Sequence, residues 1–122
     1  MSDKRKAAES RGPVGQMDEA IEDFADFQLC VKGRAEATVR GYREDLKNLA
    51  QDIDTFANFN LNNLRQWLGN AVAEGKARAT LARRTASVKA FSTWAEREGY
   101  LTRDVAARLV TPKVGQHLPT VM

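Results

Sequence analysis

Apolar residues recur along most of this chain at steps of three and four, not two, which is the pattern of helices that each bury one stripe. The clearest run is Val39, Tyr42, Leu46, Leu49, Ile53 and Phe56, an unbroken stripe that predicts a long core-facing helix. Ahead of it, Met17, Ile21, Phe24 and Val31 share a helical spacing with acidic residues on the other face, and Gly33 is the expected stop, with Lys32 in the last turn. Asn58 to Asn60 break the pattern after the second helix. Asn60 then offers a capping side chain for a third helix carrying Leu61, Leu64, Leu68 and Val72, closed by Gly75. A fourth helix is expected from about Ala79 to Glu98, with Leu81, Val88, Phe91 and Ala95 inward and Gly99 as its stop. A short fifth should start at Asp104 and end before Thr111 and Pro112, because proline disfavours helix in the residue before it. No strand-like alternation of useful length and no internal repeat is present, so the expected class is all-α: a compact bundle of four main helices plus a short fifth.

Composition narrows this reading. At 122 residues, with 43% hydrophobic and 29% charged residues, the chain is sized for one folded domain. Residues 1–16 read as a flexible basic tail, 17–111 as the helical domain and 112–122 as a linker. No apolar run approaches a membrane span, and Lys4, Arg5 and Lys6 lead into a polar stretch unlike a secretory signal, so a cytoplasmic protein is expected. The single Cys30 excludes an internal disulfide. The net charge of +3 is a weak pointer to an anionic partner, but its distribution says more. Residues 17–32 hold five acidic side chains against Lys32, a poor surface for phosphate. Residues 77–101 hold Arg78, Arg83, Arg84, Lys89 and Arg97 against only Glu96 and Glu98, so polyanion contact should concentrate there.

Candidate chemistry depends on which faces carry these charges. Arg40, Arg43 and Lys47 repeat the three-then-four step of the second helix and line up on a face separate from its apolar stripe. Thr80, Arg83 and Ser87 fall together on a flank of the fourth helix; Arg84 projects nearer the apolar side, where pairing with a carboxylate at the core edge is the alternative to contact with a ligand. A basic stripe on an amphipathic helix is more often a solvated face than a nucleic-acid site. Glu44 and Asp45 beside Arg43 are placed to orient the basic residues, and Trp67, Trp94, Phe91 and Phe56 are better explained as core than as stacking platforms. No catalytic residue is expected: Tyr42 lies in the apolar stripe, Tyr100 follows a helix stop, and neither has a cationic cluster by sequence. One His, His117, and one Cys do not make a metal site, and no glycine-rich phosphate loop is present, so no cofactor is expected.

Three stretches carry a resemblance. Gly33 is followed by Thr38, Val39, Tyr42, Asp45 and Leu46; Thr80, Leu81, Ala82, Arg83 and Arg84 lead to Lys89, Phe91, Trp94, Glu98, Gly99 and Tyr100; and Pro112, Lys113, Leu118 and Pro119 close the chain. Over roughly Glu19 to Met122 this resembles the core-binding domain of tyrosine site-specific recombinases of the Xer type and of related phage integrases, a SAM-like helical fold. Ala35 stands where that family favours serine, Asp104 and Val105 replace Asn-Pro, Ala86 a serine and Lys89 an arginine. The resemblance implies sequence-specific binding of a double-stranded recombination site, with this chain as the N-terminal clamp and the catalytic domain lying beyond Met122. It implies that Thr38, Arg40, Arg43 and Lys47 on the second helix and Thr80, Arg83, Arg84 and Ser87 on the fourth face one stretch of major groove. Neighbouring recombinase protomers and the catalytic domain are the further implied partners, and chromosome dimer resolution at cell division the implied process. A phage or transposon integrase, and a helical protein-interaction module that binds no DNA, are the alternatives.

Overall fold

In the computed structural model, residues 15–113 are described, and they form four α-helices: α1 (Gln16–Asp26), α2 (Glu36–Asp52), α3 (Leu61–Ala73) and α4 (Arg78–Glu98). No strand occurs among the described residues. The expected tail and linker, with His117, Leu118 and Pro119, fall largely outside that range. Helix α2 packs on both α1 and α4, and α3 packs on α4.

The terminators act as their chemistry dictates. Asn60 accepts the Asn63 N–H at 2.8 Å, capping α3. Gly75 and Gly99 adopt φ of 84° and 91°, the left-handed geometry that lets Lys76 N–H reach the Ala71 carbonyl and Tyr100 N–H reach that of Ala95. Helix α2 begins on Ala35, which supplies no capping bond.

Three expectations differ from the structure. The first helix reaches Gly33 through a wider π turn, Phe27–Val31, in which Lys32 N–H bonds the Phe27 carbonyl. The extra residue rotates the rest of the turn out of phase, so Val31, expected inward, is 69% exposed. The second helix stops at Asp52, short of its apolar stripe. Ile53 is extended and Phe56 opens a 3-10 turn, where Gln16 Oε1 takes the Phe56 N–H and Thr55 Oγ1 the Asn58 N–H. Burial of Ile53 and Phe56 continues without the helix. The short fifth helix is absent: Val105–Arg108 form a turn, pinned by side chains of α4. Lys89 Nζ donates to the carbonyls of Ala107 and Leu109 at 3.0 and 2.8 Å, and Asp104 accepts from the hydroxyls of Ser92 and Thr93. The Lys89 bonds, and that of the Ala106 N–H to Ser92 Oγ, satisfy backbone groups without a helix.

Phe24 of α1 sits at the centre of the core, its ring 5.4–5.5 Å from those of Tyr42, Phe91 and Trp94. Phe56 stacks on Tyr100 and Phe91 at 5.0 and 6.0 Å, closing the cluster from the α2–α3 connection. This fixes α1, α2 and α4 around one apolar centre and thereby sets which polar flanks meet.

Candidate nucleic-acid interface

Two polar flanks of α2 lead to different neighbours. Arg43 and Lys47 point to α1: Lys47 Nζ lies 3.1 Å from Glu22 and 3.6 Å from Asp18, and Arg43 Nε lies 3.3 Å from Glu22. Arg43 Nε makes no hydrogen bond, so that contact is an ion pair only. These pairs are half-exposed and contribute at most about 1 kcal/mol each. Their consequence is electrostatic: the acidic face of α1 neutralises the two cations. Arg40 shares their flank by its spacing, is exposed, and lines a shallow depression with Leu29, Glu36, Val39 and Arg43.

The opposite flank meets α4. Asp45 is 2% exposed and accepts from Arg83 twice, Nε to Oδ2 at 3.0 Å and Nη2 to Oδ1 at 2.7 Å. Ser87 Oγ adds a third bond to Oδ2 at 2.9 Å. Three donors compensate a carboxylate that burial would otherwise penalise. The Asp45 bonds raise the Arg83 pKa further, with the nearby carboxylate charge as the second cause, so its charge is permanent. Thr38, seven residues before Asp45, lies on this same flank of α2 and is exposed; Thr80 is half-buried on α4. Asn48, one turn beyond Asp45, accepts the Trp67 Nε1 hydrogen at 2.9 Å.

The eight sequence candidates therefore do not form one set. Thr80, Arg83, Arg84 and Ser87 lie on α4, but of the α2 group only Thr38 faces their seam, since Arg43 and Lys47 lie about 200° around the helix from Asp45. A single face joining Lys47 to Arg83 is not what the structure shows: they flank α2 on different sides. Ser87 is fully buried and holds Asp45, so it supports the seam from within. Arg84 is half-buried; in place of a carboxylate its guanidinium lies 5.3 Å over the Trp67 ring, and its Nε lacks a hydrogen bond. Asp45 is the residue that sequence reasoning misassigns. Proximity along the chain gives it to Arg43, two residues away, whereas its partner is 38 positions on. The available signal is a carboxylate bordering an apolar stripe, which needs a hydrogen-bonding partner once it is buried.

Tyr42 packs on Phe24, and the Tyr100 hydroxyl donates to Asp23 at 3.4 Å. Burial, and next the Asp23 charge, push the Tyr100 pKa up to about 12. No group of three or more His, Cys, Asp or Glu is placed to hold a metal ion among the described residues, and no helix among them is long and apolar enough to cross a membrane.

An all-α unit with a polar seam between its second and fourth helices is the class that fold and site define. Residues 21–99 match the family described as phage integrase, N-terminal SAM-like domain, and the chain belongs to that family. It is 62% identical over 107 residues to a tyrosine recombinase XerC of Corynebacterium efficiens, covering 88% of this chain and 34% of that protein. Against the Corynebacterium glutamicum protein of the same name it is 57% identical over 102 residues, 84% of this chain and 33% of the relative. The tyrosine recombinase XerC of Mycobacterium tuberculosis is 40% identical over 110 residues, 87% of this chain and 37% of that protein. The chain thus spans about a third of the length of the curated relatives it matches, their N-terminal part. No solved structure matches it at a significant level.

Proposed function

We propose that this chain is the DNA-gripping N-terminal clamp of a tyrosine recombinase, binding one arm of a double-stranded recombination site through the α2–α4 seam. The observation that carries the reading is the Asp45–Arg83 bridge, which joins α2 to α4 along a flank on which Arg83 and Thr38 are exposed. Hydroxyls and a forked cation on adjacent rods are groups that meet base edges and phosphates in a major groove. Strand cleavage and rejoining belong to a catalytic domain outside this chain. That domain and neighbouring protomers on the same site are the protein partners, and chromosome dimer resolution in the cytoplasm is the process; the names of its relatives support the recombinase part of this reading. A phage or transposon integrase would use the same face.

The test uses the position of Thr38 three residues into α2, where a carboxylate suits the positive end of the helix dipole. Thr38→Glu should leave the melting temperature equal or higher while weakening duplex binding about tenfold or more at low salt, as phosphate meets a new negative charge. Mobility shift across a salt series measures it. Undiminished binding by Thr38→Glu would remove the seam from the interface; no binding by the unmodified chain at low salt would sink the reading.

A further inference from the structure

We propose that Arg83, aimed by Asp45, reads a guanine in the bound duplex, with Asp45 as the positioning residue; this rests on the DNA-binding reading above. A guanidinium carries five N–H donors arranged as two forks. Asp45 occupies the fork made by Nε and Nη2. The other fork, Nη1 with Nη2, is left on a side chain that is 54% exposed. That fork matches guanine O6 and N7 in the major groove, but it also matches two phosphate oxygens.

Electrostatics separates the two. The Asp45 carboxylate lies within hydrogen-bond distance behind the guanidinium and is shielded from water, so the dyad is close to neutral as seen from outside. A phosphate approaching Arg83 meets that negative charge through the arginine, and a neutral dyad releases few counterions. Guanine O6 and N7 are uncharged acceptors and suffer no such repulsion. Rigidity adds to the preference: Ser87 fixes Oδ2, the carboxylate fixes the guanidinium plane, and rotamer freedom that an unrestrained arginine would lose on binding is already gone.

The chain is bound to a randomised duplex library, the bound fraction is sequenced, and thermal melts confirm folding. The unmodified chain should select a guanine at one position, favoured roughly 10- to 100-fold over other bases. Arg83→Lys, which keeps the charge and loses the fork, should flatten that position alone. Asp45→Asn should weaken the guanine preference while raising affinity for unselected duplex, with a salt dependence steeper by about one ion. Ser87→Ala should fall between, and it and Arg83→Lys carry the test if Asp45→Asn fails to fold. A motif unchanged in Arg83→Lys, or equal weakening of every sequence, overturns guanine reading while leaving DNA binding intact. Failure of the unmodified chain to bind any duplex overturns the parent reading and this one together.

Discussion

A carboxylate shut away from water survives only with donors around it, and Asp45 has three, two of them from an arginine that is itself half in solvent. The dyad is therefore asymmetric. Removing Arg83 strands a buried negative charge, whereas removing Asp45 leaves an arginine that can turn into water. Arg83→Ala should cost about 2–3 kcal/mol, toward the lower side of a buried-pair loss because solvent reaches the guanidinium. Arg83→Ala combined with Asp45→Ala should be more stable than Arg83→Ala alone, since the stranded charge is gone. Urea unfolding of the three proteins checks both statements. At this scale the sequence reveals the residue types on α4 and their shared flank. It does not reveal that Asp45 belongs with them, because a contact 38 residues away leaves no local trace.

Among elements, α2 is the one whose ends depart furthest from its hydrophobic stripe. Its start lacks a side-chain cap because Ala35 stands at the N-cap, with φ −63° and ψ 149°, the extended geometry a capping serine would adopt. Ala35→Ser should stabilise the fold by about 1 kcal/mol, read as a rise in melting temperature. No rise would mean that the serine hydroxyl does not reach the first-turn N–H groups. Its end is set by competing hydrogen bonds that the Phe56 and Asn58 N–H groups donate to Gln16 and Thr55, which spacing of apolar residues does not register. The same holds for the missing fifth helix. Its apolar positions Ala106 and Leu109 are buried as the pattern requires, but Lys89, Ser92 and Thr93 reach across to hold the segment as turns.

For the whole molecule, the aromatic centre couples the first helix to the segment that follows the α4 stop. Tyr100 stacks on Phe56 and bonds Asp23, and its proton is held in the fold up to about 12 against an ordinary value of 10.0. Because the unfolded chain releases that proton first, stability from this group is full below pH 10 and falls as pH rises toward 12. Tyr100→Phe should flatten this alkaline loss, measured by urea unfolding at successive pH values. An identical pH slope in the variant would show that another group governs it.

The sequence alone determined the helical class, the four main helices, the stops at Gly75 and Gly99, the cap at Asn60 and the inward aromatic set. All of these are consequences of local dihedral preference and apolar periodicity, which act within a few turns of chain. Only the tertiary structure decided which polar flanks face one another. The packing around Phe24 turned Arg43 and Lys47 toward the carboxylates of α1 and brought Asp45 against Arg83. Periodicity fixes each helix's face toward the core but leaves open which neighbour lies to either side, and long-range charge pairing depends on that choice alone.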